Sequence, residues 1–105
     1  MTATHIRETE LADLTLKNSV VVAYFWAPWC APCTQFGPIY EAVSELHDDV
    51  VFTKINMDEA PNAPQQFNIK SIPTVVVFKN NEPVYNEAGA MNQLSFDMLI
   101  KMIKA

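Results

Sequence analysis

The sequence predicts an α/β fold, a central mixed β-sheet with helices on both faces, and three observations predict it. Residues 20–26 read "VVVAYFW", apolar throughout and rich in β-branched and aromatic types. A strand with no polar face is buried on both sides, as in the middle of a sheet covered above and below. Runs of this kind alternate along the chain with stretches of helical periodicity, the order expected of strands joined through helices. Two late runs are separated only by "KNNE", a link short enough for an antiparallel hairpin, so the sheet must be mixed.

Each element has its own signal. Residues 8–17 place Leu11, Leu14 and Leu16 among polar neighbours and suit a short helix. The strand over 20–26 is bounded by Asn18-Ser19 before it and Pro28 after it. From Cys33 to about Leu46, Phe36, Ile39, Tyr40, Val43 and Leu46 recur three and four apart, the spacing of one helix face. Pro38 lies inside this pattern and is expected to kink it, because its ring removes a donor and crowds the preceding turn. A second strand is expected over 50–56, and a short helix over 62–67 follows Pro61. Strands over 74–78 and 83–88 form the hairpin, with Asn80-Asn81 able to take the positive φ of a tight turn. Asn92 is a candidate N-cap for a helix to Lys104, with Leu94, Met98, Leu99, Met102 and Ile103 read as its buried face. Lys101 and Lys104 fall at its negative end. The expected order is α-β-α-β-α-β-β-α.

At 105 residues the chain fits a single domain, residues 1–105, large enough to bury one core without a metal or disulfide staple. Half of it is apolar and 18% is charged, with a net charge of -5 and no cluster of Lys or Arg. That charge pattern excludes an electrostatic footprint for nucleic acid or anionic membrane. The longest apolar run, 20–27, is too short to span a bilayer, and the first fourteen residues hold no apolar stretch like a secretory signal. A soluble cytoplasmic protein is the expectation.

Both cysteines stand in "WAPWCAPC", residues 26–33. As a structural staple the pair would close a four-residue loop and remove only about 2 kcal/mol of chain entropy. A zinc site needs four ligands, and His5 and His47 have no partner at ligand spacing. Both histidines read as solvated surface groups, and no metal site is expected, a cluster shared between two chains remaining the minor alternative. Redox chemistry suits the local physics better. Cys30 stands where the strand has ended and the helix begins, so its sulfur faces unpaired N–H groups and the positive helix end, which favour the thiolate. Pro32 falls in the first turn, where a missing N–H costs nothing. Cys33, inside the helix, is expected to be the more buried thiol. One exposed nucleophile would then have one resolving thiol behind it.

Over nearly its full length the chain resembles the thioredoxin family. "VVAYFWAPWCAPC" is similar to the family's strand and active-site segment, usually centred on WCGPC. Pro38 matches its helix proline, "FTKIN" its next strand with Lys54 as a partly buried lysine, and "SIPTVVVFKNNE" the segment of its cis-proline, here Pro73. "EAGA" matches a stretch whose glycine is Gly89. The resemblance implies a protein-disulfide reductase in which Cys30 attacks a substrate disulfide and Cys33 resolves the mixed disulfide. It implies a shallow apolar groove of Trp29, Pro32, Ile72, Pro73 and Ala90, with Trp26 packed in the core. It implies no bound cofactor, with electrons from an NADPH-dependent, flavin-containing thioredoxin reductase, protein substrates as partners, and a monomer.

Departures from the family pattern mark the residues expected to tune the site. Ala31 replaces the usual glycine between the cysteines and bears on redox poise. Tyr24 replaces a buried aspartate thought to move the resolving thiol's proton, so a slower resolving step is expected. Lys54 loses that carboxylate neighbour and must find solvent or another partner. Thr34 replaces a frequent lysine and Ser71 an often-glycine position, while Asp58-Glu59 reads as a solvated turn. Two rivals remain: a disulfide oxidase or isomerase, and a non-catalytic partner-binding module.

Overall fold

Residues 20–26 form the central strand of a five-stranded sheet in the computed structural model, which describes residues 3–105. The strands are β1 (Thr4–His5), β2 (Val20–Trp26), β3 (Val51–Asn56), β4 (Thr74–Lys79) and β5 (Glu82–Ala88), in spatial order β1-β3-β2-β4-β5. β2 runs parallel to β3 and antiparallel to β4, and β1 is parallel to β3. β4 and β5 form the expected hairpin, and Asn80 and Asn81 both have positive φ, 52° and 68°. The sheet is mixed, as predicted, and the fold is the thioredoxin fold that the resemblance implies.

Side chains alternate across a strand, so β2 feeds two cores. Val22 and Tyr24 face α2 (Ala31–Ser44) and α4 (Gln93–Lys104), packing with Phe36, Tyr40, Phe96 and Ile100. Val21, Ala23 and Phe25 face α1 (Leu11–Lys17) and α3 (Ala63–Gln66), packing with Leu11 and Ala63. Both faces being covered is why β2 has no polar position. The first core is dominated by touching rings: Tyr40 lies 4.8 Å from Tyr24, 5.6 Å from Phe52 and 5.5 Å from Phe96, between centroids. The Tyr40 hydroxyl donates to the Thr53 carbonyl at 2.7 Å, so burial of this phenol leaves no polar atom stranded. Burial pushes its pKa well above the ordinary tyrosine value.

Four expectations are corrected. β1 is absent from the predicted order; two residues are too short for any periodicity, and pairing with Thr53 and Lys54 alone defines it. In α4 the buried residues are Phe96 and Ile100, with Leu99 and Ile103 half-buried, while Leu94, Met98 and Met102 are exposed. The apolar residues of this helix wrap more than one face, and spacing alone picks the wrong stripe. Leu46 lies beyond the end of α2 and is exposed. His47 is not solvated: it is 2% exposed, with Nε2 2.6 Å from Asp97 Oδ1 on α4.

The His47 contact has a testable consequence. The hydrogen bond from His47 comes first among the causes that hold the Asp97 carboxyl below its ordinary pKa, with Lys101 adding to it. Asp49 is lowered in the same way, chiefly by its hydrogen bond from Lys104. A carboxylate whose folded pKa is depressed stabilises the fold fully above its unfolded pKa, about 3.9, and loses that contribution as pH falls through the folded value. Urea unfolding of the wild type and Asp97→Asn is therefore expected to differ most near neutrality. Below about pH 4 the two curves converge. A constant difference across that range would show that the carboxylate's charge is not what stabilises.

Candidate active site

β2 ends at Trp26, and the chain turns through Ala27, Pro28 and Trp29 before α2 begins. Cys30 is the N-cap of α2: its backbone is extended, with φ -93° and ψ 109°, and its sulfur accepts from the Cys33 N–H at 3.2 Å. An N-cap must satisfy the donors that open a helix, and here sulfur takes the place that a hydroxyl or carboxylate oxygen usually fills. Pro32 sits in the first turn and Ala31 opens it, both exposed. The helix runs on through Pro38 to Ser44. Cys30 and Cys33 are joined in a disulfide.

The two sulfurs differ less in access than the sequence suggests. Cys33 is 2% exposed and Cys30 only 6%. What stands open is Trp29, at 71%, while Trp26 is half-buried against the α2–α4 core. The Trp29 indole is held: its Nε1–H donates to Asp58 Oδ1 at 2.9 Å, from the 3₁₀ turn Met57–Glu59. Asp58, a solvated turn residue by sequence, thus has a specific partner. No local signal links it to Trp29, because the contact is made by tertiary folding across the sheet end.

A second loop completes the site. The Ile72-Pro73 peptide is cis, and the Ile72 carbonyl oxygen lies 3.9 Å from Cys30 Sγ. Ile72 is half-buried and packs against both cores, and Pro73 is buried. Gly89 donates its N–H to the Pro73 carbonyl at 2.8 Å and has φ 103°, a conformation that favours glycine because a Cβ is strained there. Exposed Ala90 follows it directly. The fold thus gathers Trp29, Cys30, Ile72 and Pro73 at the carboxyl end of β2, with Ala90 on the adjoining loop.

Tyr24 and Lys54 lie beneath this surface. Tyr24 is 1% exposed, and its hydroxyl donates to the Cys33 carbonyl at 2.7 Å. Its ring meets Phe36 edge-on at 5.3 Å. Burial pushes its pKa up to about 12, so the phenol keeps its proton at neutral pH. Tyr24 therefore anchors the first turn of α2 and offers no anionic base. Lys54 does find another partner: Nζ is 3.5 Å from Glu41 Oε1 and 5.7 Å from the centre of the Trp26 ring. Nothing in the sequence singles out Glu41, because a carboxylate on the polar side of a helix pattern has no distinguishing signal.

Hollows of about 490, 710 and 200 Å³ lie on the described surface, and Trp29, Cys30 and Pro73 line none of these.

Comparison with known proteins agrees with this geometry. The family model described as Thioredoxin matches residues 3–105. A thioredoxin of Rickettsia conorii is 42% identical over 95 residues, covering 89% of this chain and 90% of its own. One from Alicyclobacillus acidocaldarius is 46% identical over 85 residues, 75% of this chain and 81% of its own. Among solved structures, a mutant thioredoxin from Halobacterium salinarum superposes with TM-score 0.89 at 30% identity, covering 98% of this chain and 92% of that one. The oxidised thioredoxin of Plasmodium falciparum gives 0.87 at 31%, covering 99% and 100%.

Proposed function

Because the chain belongs to the thioredoxin family and is a thiol-disulfide oxidoreductase reducing protein disulfides, we propose that Cys30 is its nucleophile and Cys33 its resolving thiol. The observation that carries this assignment is the N-cap geometry. In the disulfide form the Cys33 N–H lies 3.2 Å from Cys30 Sγ; on reduction that donor and the helix dipole both favour negative charge on Cys30. Cys33, inside the turn, has no comparable donor at its sulfur among the described residues.

The thiolate of Cys30 attacks one sulfur of a substrate disulfide; the new Cys30–substrate bond forms as the old bond breaks, and the departing substrate sulfur takes up a proton. Cys33 then gives up its proton and attacks Cys30 Sγ. The Cys30–Cys33 disulfide forms and the second substrate thiol leaves. Two electrons and two protons have passed to the substrate. Tyr24 stays protonated throughout, so the Cys33 proton goes to water or to the leaving thiolate, and the resolving step is the slower for it.

Trp29, Pro32, Ile72, Pro73 and Ala90 form the surface that receives the substrate segment, with Trp29 held in place by Asp58. Ala31 tunes the potential, and Lys54, paired with Glu41, sets the charge behind the site. The chain works as one domain and a monomer in the cytoplasm, binds no cofactor, and is recharged by an NADPH-dependent flavoprotein thioredoxin reductase. Among the described residues no helix is long and apolar enough to cross a membrane.

Equilibration with dithiol/disulfide buffers, read by the fluorescence of Trp29 beside the cysteines, tests the direction of electron flow. A potential near -270 mV, typical of a thioredoxin, is the expected result. A value near -120 mV, that of a strong oxidant, would assign the chain to disulfide formation and overturn the reductase reading.

A further inference from the structure

Met91 stands where the loop that bears Ala90 leads into α4. The loop is tied on both sides of it. Gly89 donates to the Pro73 carbonyl at 2.8 Å, and the Asn92 side chain accepts the Ser95 N–H as the N-cap of α4. Met91 is half-buried and packs against the core that contains Cys30, Cys33 and Phe96. Its sulfur accepts from the hydroxyl of Tyr85, on β5, with sulfur and oxygen 3.8 Å apart.

That contact joins a good donor to a poor acceptor. A phenol O–H seeks a partner when it is taken from water, and a thioether sulfur is among the weakest acceptors a protein offers. Tyr85 has no other hydrogen-bond partner among the described residues. Burial, with the Glu87 charge adding to it, raises its pKa, so the hydroxyl keeps its proton at neutral pH. The spacing also fits a different acceptor. An oxygen added to the sulfur stands about 1.5 Å from it and needs about 2.7–2.8 Å to the phenol oxygen, and a bend at the new oxygen spans both within the observed 3.8 Å.

The other described methionines lack this arrangement. Met98 and Met102 are 52% and 73% exposed, and Met57 packs against the second core. An oxygen on an exposed sulfur meets water, whereas one pressed against an apolar core disrupts it unless a donor is waiting.

We propose that Met91 is a modification site: it takes one oxygen from a hydroperoxide, and Tyr85 holds the sulfoxide so that the loop bearing Ala90 keeps its place. The sulfur lone pair attacks one oxygen of the hydroperoxide; the S–O bond forms as the O–O bond breaks, and water or an alcohol leaves with the proton. Sulfur loses two electrons and the peroxide gains them. The consequence for catalysis rests on the reading of Ala90 as part of the substrate surface.

The disulfide form, whose cysteines are protected by their own bond, is treated with hydrogen peroxide until oxygen uptake by mass stops, then freed of peroxide. Peptide mapping is expected to show one added oxygen on Met91 as well as on Met98 and Met102. Treated wild type keeps its KM for a protein disulfide within about twofold. Tyr85→Phe matches wild type before treatment. Afterwards its KM is about fivefold higher, the scale of one lost hydrogen bond, and its Tm is lower by about 5 °C. Adding Met91→Leu to Tyr85→Phe abolishes both changes. Met91 left unoxidised at the end point overturns the proposal. So does a loss in treated wild type equal to that in Tyr85→Phe, or a Tyr85→Phe protein that oxidation leaves untouched in both Tm and KM. A fall in Tm without any change in KM upholds the hold of Tyr85 on the sulfoxide and strikes instead at the reading of Ala90.

Discussion

Cys30→Ser is expected to lower kcat/KM for disulfide reduction by about 10³-fold or more, the scale seen when a nucleophile is removed. A serine hydroxyl stays protonated at neutral pH and does not open a disulfide. The variant is a fair test because it spares the fold. Serine is among the preferred N-cap residues, and its oxygen can accept the Cys33 N–H that the sulfur accepts now. Cys33→Ser is its complement: the first step proceeds and the second cannot. The substrate should remain attached to Cys30, visible as a mixed disulfide by intact mass. Titration of released thiols measures the first variant and mass spectrometry the second. Retained biological activity with Cys30→Ser would instead make the chain a binding module.

The second large effect is on stability. Phe36→Ala is expected to cost about 3–5 kcal/mol, as truncating a fully buried phenylalanine generally does. Phe36 is 0% exposed, with ring centres 5.3 Å from Tyr24, 6.1 Å from Tyr40 and 5.5 Å from Phe96. None of these neighbours can move in to refill the space. Each is fixed by its own contacts, Tyr24 by Cys33 and Tyr40 by Thr53. For a domain of this size the loss corresponds to a fall in Tm of roughly 15 °C or more. Phe36→Leu, which keeps most of the volume, should cost markedly less. Equal losses for the two would mean that ring geometry matters here more than filled space.

How much of this is legible in the sequence differs by element. β2 is clear because burial on both faces leaves an unbroken apolar run, and the hairpin because Asn80 and Asn81 tolerate the φ they adopt. The cysteine turn is clear because strand end, proline and helix start converge there. α4 is found but turned the wrong way, since Leu94, Met98 and Met102 have the spacing of a buried face without the burial. Phe96 and Ile100 are four apart too, and only packing decides between such stripes. β1, the Trp29–Asp58 bond, the Glu41–Lys54 pair and the Asp97 partner of His47 are beyond reach. Each joins residues from distant elements, and no local pattern encodes such contacts.

The place of β2 in the sheet also sets the order in which the chain is built. Its parallel neighbour pairs Val21 with Val51, and its antiparallel neighbour pairs Phe25 with Thr74. The β4–β5 ladder, by contrast, closes within one short stretch. A local hairpin forms in about 1–10 μs, whereas pairing across long loops must first meet their closure entropy. When the complete chain refolds, the hairpin is therefore expected early and the central strand late. The turn carrying Cys30 hangs from that strand, so the protein acquires its chemistry only as the last long-range pairings close.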